Sequence, residues 1–231
     1  MVITNGGVFL KGAKQKIMEI QIAKTIENLK QNNMSAYYVH SKNQVKDMVA
    51  SLMHQGDTVA VGGSETLSQT GVLEMLRNGK YRFLDRYNPD LDDEQRRQIF
   101  IDSFSADVYL TSSNAVTMKG ELYNVDGNSN RVAAICFGPK SVIMVVGCNK
   151  IVPDINAAIT YVKQVSAPSN AVRLNCDTYC ASAGVCQGIA SDYITGGCNC
   201  DARLCCNYLV SARQRIPGRI KIIIVGEELG F

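Results

Sequence analysis

Apolar residues at helical spacing alternate along this chain with short, β-branched runs, the pattern of a layered α/β fold. Ile17, Ile20, Ile22, Ile26 and Leu29 recur at intervals that predict a helix ending near Asn32 and Asn33. AYYVH (36–40) reads as a strand, and NQVKDMVASLMHQG (43–56) as a helix with a polar start and a glycine stop. DTVAVGG (57–63) is a strand running into glycines, TLSQTGVLEMLRNG (66–79) the next helix, and YRFLD (81–85) a short strand. NPDLDDEQRRQIFIDSFSA (88–106) begins extended and becomes a helix with acidic residues in its first turn, where the helix dipole favours them.

DVYLTSSN (107–114) reads as strand then turn, and ELYNV (121–125) as a second short strand, with a helix after DGNSN through Ala134. SVIMVVG (141–147) is apolar throughout, as a central parallel strand must be when helices cover both faces. PDINAAITYVKQV (153–165) predicts a helix with proline at its first position, and IKIIIVGEELG (220–230) a last buried strand. Between those two lies an irregular, cysteine-rich segment at 175–207 with little periodicity. Residues 1–231 read as a single domain.

Composition narrows the function classes. A net charge of +3 gives no basic stripe of the kind that neutralises a phosphate backbone, so no nucleic acid partner is expected. No apolar run approaches the ~18 residues of a membrane span, and the first residues lack a signal-peptide core. A cytoplasmic protein with no membrane partner is expected, in a compartment where clustered thiols stay reduced. The two histidines, His40 and His54, fall at a strand end and late in a helix, and no Ser/His/Asp arrangement is evident.

Two polar stretches carry candidate chemistry. VAVGGSETL places Gly62, Gly63, Ser64 and Thr66 between a strand and a helix. Glycines there let a ligand approach the backbone, and free amides at the helix start attract phosphate or carboxylate. Ser64 or Thr66 reads equally well as the N-cap of a tight turn. The second stretch, LTSSNAVTMKGELYNVDGNSNRV (110–132), gathers Ser112, Ser113, Asn114, Thr117, Glu121, Asn124, Asp126, Asn128, Asn130 and Arg131. These fall in loops after a strand, at the sheet edge where open α/β folds bind ligands, and predict a convergent polar site.

VGGSETL, the run DVYLTSSNAVTMKGELYNVDGNSNRVAAICFGPKSVIMVVGCNKIV and the closing GRIKIIIVGEELGF together resemble the LUD (lactate utilisation, DUF162) domain family. The likeness runs from about residue 14 to 231 and is strongest to clostridial-type members with a cysteine-rich C-terminal segment. It implies a three-layer α/β fold with a Rossmann-like sheet, similar to the NagB/RpiA/CoA-transferase-like superfamily. It also implies a component of a system that oxidises lactate to pyruvate beside an iron–sulfur protein partner, with a small carboxylate or phosphorylated ligand. Two other readings stay open on this superfamily. One is a stand-alone transferase or isomerase on a phosphorylated or CoA-linked molecule; the other is a non-enzymatic ligand-binding or assembly subunit. A homo-oligomer is compatible with each.

The family's motif positions fall on Gly63, Ser64, Thr66, Asn114, Glu121, Asn130, Arg131 and Lys150 among others; on their chemistry, Glu121 would be the base or electrostatic group, Arg131 and Lys150 anion partners, and Asn114 and Asn130 orienting donors. Gly62, Ser112 and Asn128, from the two polar stretches, complete the ligand-binding set with Gly63, Ser64 and Thr66. Structural hydrogen bonds between adjacent loops are an equal alternative for each. The tail cysteines of the family fall on Cys180, Cys186, Cys198 and Cys205, with Cys200 and Cys206 competing for the last two places. Four thiolates suit zinc or a [4Fe–4S] cluster. Redox thiol pairs, or thiols packed as small hydrophobes, remain the rival readings.

Overall fold

The computed structural model describes residues 6–231, with side chains from Gly12 onward. Its centre is a six-stranded parallel sheet: β1 (Ser35–Val39), β2 (Thr58–Val61), β3 (Arg82–Leu84), β4 (Val108–Thr111), β7 (Ser141–Gly147) and β10 (Ile220–Val225), in the order β1-β10-β7-β4-β2-β3. A smaller sheet joins β5 (Ala115–Thr117), β6 (Leu122–Asp126), β8 (Ile151–Val152) and β9 (Asn207–Ser211) in the order β8-β5-β6-β9. The architecture is the expected three-layer α/β fold.

The two-residue period of the strands divides the core between the two faces of the sheet. Ile220, Ile222 and Ile224 of β10, with Val142, Met144 and Val146 of β7, face one core. It also holds Ile22 and Leu29 of α1 (Gly6–Gln31) and Ala134 and Ile135 of α6 (Asn130–Cys136). Ile223, Val225, Ile143 and Val145 face the other, against Val45 and Val49 of α2 (Val45–Ser51), Leu67 of α3 (Glu65–Gln69) and Leu76 of α4 (Val72–Leu76). In α1 the buried ridge is Ile22, Thr25 and Leu29, while Ile17 and Ile20 face solvent. Between 18 and 29 the helix can turn only one stripe inward.

Several elements depart from the sequence pattern. The helix expected over 66–79 is two short helices, because Gly71 takes φ +68° and breaks the turn between α3 and α4. The helix expected over 43–56 ends at Ser51. Pro153 lies before the N-cap Asp154, whose carboxylate accepts from the Ala157 amide at 3.0 Å, so Pro153 is not the first helical residue. That helix, α7 (Ile155–Tyr161), runs on through a π-turn over Val162–Ser166 into α8 (Ala167–Arg173). The π-turn absorbs the amide missing at Pro168.

β5, β8 and β9 have no clear sequence signature, being three, two and five residues long. The cysteine segment contributes α9 (Tyr179–Ala183) and then β9, which closes the small sheet against β6. The remaining helix, α5 (Asp93–Asp102), has the expected acidic first turn and a capping box between Asp92 and Gln95. Among the described residues no helix is long and apolar enough to cross a membrane.

Candidate functional site

A cleft of about 590 Å³ opens at the carboxyl ends of the parallel strands, where β2 and β4 lie side by side. From β2 the chain proceeds outward to β3, whereas β4, β7 and β10 build the sheet in the other direction. A sheet whose order reverses there leaves a crevice between the diverging loops. Gly63 and Ser64 enter it from the turn after β2, Arg86 and Tyr87 from the loop after β3, Ser112, Ser113 and Asn114 from the turn after β4, and Lys150 from the turn after β7.

The turn after β2 is structural in large part. The Ser64 hydroxyl accepts from the Leu67 amide at 3.2 Å, making it the N-cap of α3. With only five residues, α3 offers little dipole for an anion, and Glu65 places a carboxylate beside it. Gly62 lies behind the cleft wall, where a Cβ would meet Thr111 Oγ1 at 2.8 Å, Tyr109 Oη at 2.9 Å and Arg131 Cδ at 3.1 Å. Its glycine makes room for Arg131 rather than for a ligand. Thr66 is fully buried beneath the cleft and meets it only through Lys150.

Arg131 ties the loops together. Its terminal nitrogens donate to the Ser112 carbonyl (3.3 Å), Asn124 Oδ1 (2.6 Å), Asn114 Oδ1 (2.8 Å) and the Val125 carbonyl (2.7 Å). Four of its five N–H groups are thus spent on the protein, which fixes the guanidinium at the cleft wall and leaves its charge as the main contribution to a ligand. Burial lowers its proton affinity, offset by Asp126 and then Tyr109. Asp126 Oδ2 accepts from the Arg131 and Val132 amides at 2.9 and 3.2 Å and so anchors the start of α6. Asn124 is fully buried, and its Nδ2 has no hydrogen-bond partner.

Lys150 is the other fixed cation. It is 4% exposed, and its Nζ lies 3.1 Å from Ser112 Oγ and 3.4 Å from Thr66 Oγ1. Among the described residues it has no carboxylate within ion-pair distance. Burial first, and the Arg131 charge second, push its amine down to about 7. The neighbouring motif residues explain its position. A Cβ on Gly147 would collide with Asn149 Oδ1 and the Leu229 amide, and Asn149 Oδ1 accepts from that amide at 3.0 Å. The C-terminal residues are thereby stapled over the turn that delivers Lys150.

Glu121 stands apart. Its carboxylate accepts from Thr117 Oγ1 at 2.8 Å at the far end of the β5–β6 hairpin, and it does not line the cleft. β6 separates it from Asp126 by a strand length of roughly 16 Å, while Gly120 packs on the backbone of Asn28 in α1. The sequence places Glu121 beside Asn124 and Asp126, but the hairpin sends them to opposite ends. Asn128 and Asn130 do line the cleft.

Residues not singled out by sequence also line it: Arg86, Tyr87, Arg173, Arg203 and Phe231. Arg86 stacks on Tyr87 and Phe100 at 5.4 and 4.5 Å, and Arg173 on Phe231 at 6.0 Å. With Arg131 and Lys150 the lining holds five cations against the carboxylates of Glu65, Asp126 and Asp201. Arg173 and Phe231 are 58 residues apart in the chain, and such a pair leaves no local signal.

The cysteines divide in two. Cys176 and Cys206 line the cleft, whereas Cys180, Cys186, Cys198 and Cys205 line a separate cavity of about 30 Å³ beneath it. Cys198 Sγ is 3.3 Å from Cys200 Sγ. Burial, then Cys186 and Cys180, push the Cys205 thiol up to about 12. Among the described residues, no group of three or more His, Cys, Asp or Glu side chains is gathered closely enough around one point to hold a single metal ion.

The fold and cleft define a parallel α/β protein with a cation-lined cleft at a topological switch point. The LUD domain profile matches residues 22–225, and the chain belongs to the LUD domain family, which is associated with lactate utilisation. A DUF162 family protein from Deinococcus radiodurans is similar over 92% of this chain and 98% of its own, at 16% identity and a TM-score of 0.48. The β subunit of eIF2B from Chaetomium thermophilum matches over 50% of this chain and 44% of its own, at 16% identity and a TM-score of 0.35. No curated protein matches the chain.

Proposed function

We propose that the protein is a lactate-utilisation component that binds lactate or pyruvate in the cleft, with the carboxylate on Lys150. The observation that carries this reading is Lys150 itself: a buried amine at the cleft wall with two hydroxyl partners and, among the described residues, no counter-anion. A protonated lysine has three N–H donors, so one remains for a ligand. A carboxylate there would supply the missing negative charge and draw the amine back to its charged form. Arg131, held rigid by its four hydrogen bonds, adds field without reorganising.

In this reading lactate oxidation breaks the hydroxyl O–H bond and the C–H bond on the same carbon and forms the pyruvate C=O. Two electrons pass to an iron–sulfur protein partner and two protons leave. The chain contributes substrate binding and orientation; a cytoplasmic setting accords with the reduced thiols it carries. The roomy, five-cation lining supports a second reading, a phosphorylated or CoA-linked ligand.

Titration calorimetry with lactate, pyruvate, a sugar phosphate and a CoA ester separates the two. Lactate or pyruvate is expected to bind, with affinity reduced at least roughly tenfold in Lys150→Met, the cost of one charged hydrogen bond. Glu121→Gln is expected to leave that affinity unchanged. Binding of the phosphorylated or CoA-linked ligand alone would replace the lactate reading.

A further inference from the structure

We propose that Cys180, Cys186, Cys198 and Cys205 are the four ligands of a [4Fe–4S] cluster seated in the cavity they line beneath the cleft. The four come from separate places in the chain: α9, the turn after it, the end of a long loop, and the residues just before β9. The other five cysteines do not line this cavity.

The fold removes the main objection from spacing. Eleven residues, 187–197, lie between Cys186 and Cys198, too many for a compact ligand run. That loop is pinched shut at its base, where a Cβ on Gly188 would run into the Gly196 carbonyl. Lys163, projecting from the π-turn, clamps it from inside: its Nζ donates to the Gly188 carbonyl at 2.8 Å, Ser191 Oγ at 3.3 Å and the Tyr193 carbonyl at 3.3 Å. Cys186 and Cys198 are returned to one wall, and the loop becomes a side excursion. Arg203 fixes the other pair, donating to the carbonyls of Cys198 at 3.0 Å and Cys205 at 2.9 Å.

The donor chemistry is that of a thiolate-bound centre. Among the described residues no carboxylate or imidazole lines the cavity, and soft thiolates select zinc, copper(I) or iron–sulfur. Lys163 and Arg203 line it too and supply counter-charge for four thiolates. The Gly188 amide donates to Cys186 Sγ at 3.4 Å, a contact that favours the thiolate form and tunes clusters. The room available favours a polynuclear core over zinc: the cavity of about 30 Å³ exceeds the roughly 10–15 Å³ that one water needs. Arg203 and Leu204 line both cavity and cleft, so a single layer of side chains separates the cluster from the ligand site.

The test uses the full chain, purified without oxygen and reconstituted with ferrous iron and sulfide, and with zinc in parallel. It reads metal content without lactate and so stands or falls apart from the cleft reading. The expected result is about four iron and about four sulfide per chain, with a broad visible band bleached by dithionite. Cys180→Ser, Cys186→Ser, Cys198→Ser and Cys205→Ser are each expected to remove most of the iron, while Cys176→Ser and Cys206→Ser keep it. One zinc per chain with no sulfide-linked iron overturns the cluster, as does wild-type protein of unchanged circular dichroism that takes up neither metal. Full iron in Cys198→Ser with loss in Cys200→Ser overturns the ligand set. The wild-type stoichiometry decides the main point even where a serine variant fails to fold.

Discussion

Lys150 and Ser112 are joined by a 3.1 Å contact between Nζ and Oγ that bridges the turns after two neighbouring parallel strands, β7 and β4. The contact seats an amine in a wall of the cleft with hydroxyls, not carboxylates, around it. Its neighbours make the position costly for a charge and therefore responsive to one.

That cost sets a pH dependence. The folded amine titrates at about 7, while an unfolded lysine titrates near ~10.4. Between those values the unfolded chain binds more protons, so stability rises with pH across that window, and the full penalty is present below it. Lys150→Met is expected to be more stable than wild type at about pH 6, by an order of a few kcal/mol, and to flatten the rise. Urea denaturation at a series of pH values measures both. Carboxylate binding near about pH 8 should also take up a proton, seen as a dependence of calorimetric heat on buffer ionisation enthalpy.

Arg131→Lys tests the tie across the loops. One ammonium cannot span Asn114, Asn124 and the carbonyls of Ser112 and Val125 together, so buried acceptors lose their donors. Asn124, whose Nδ2 already lacks a partner, would lose its carbonyl partner too. A loss of roughly 2–4 kcal/mol in denaturant unfolding is expected, with weakened ligand binding. A stability equal to wild type would mean the tie is replaceable by water.

Gly62→Ala addresses why a glycine precedes the turn. The added methyl would press on Thr111, Tyr109 and Arg131 at 2.8–3.1 Å. The expected cost is roughly 1–3 kcal/mol, with reduced ligand affinity because Arg131 must shift. Gly63, with nothing within 4 Å of its Cβ position, serves as the control and should accept alanine in the folded state.

Much of the frame was legible because the main strands are buried on both faces. SVIMVVG announces β7 by unbroken apolarity, IKIIIV announces β10 with one lysine in the run, and the acidic residues after Pro89 announce the first turn of α5. Other elements were not legible for physical reasons. β5 and β8, of three and two residues, are too short to show a period, and β9 lies in the aperiodic cysteine segment and exists through pairing with the distant β6. The continuation of α7 through Pro168 depends on a π-turn that no local rule forecasts. Within the site, Arg131 and Lys150 could be singled out by type and motif. Arg86, Arg173 and Phe231 could not, since they reach the cleft from a loop, the last turn of α8 and the final residue, each far along the chain from the polar stretches.

The sequence by itself determined the layered α/β core, the glycine turn after β2, the polar loops after β4 and the supply of thiols. Those features rest on local periodicity and residue chemistry. Tertiary structure alone decided which of those groups meet. The β5–β6 hairpin carries Glu121 away from Arg131, and Asn149 staples the C-terminal residues over the turn that delivers Lys150. Gly188 and Gly196 close a loop so that Cys186 and Cys198 share a wall. Periodicity fixes the face a residue takes on its own element, while its neighbours across space depend on strand order, hairpin direction and close backbone contacts over long sequence separations.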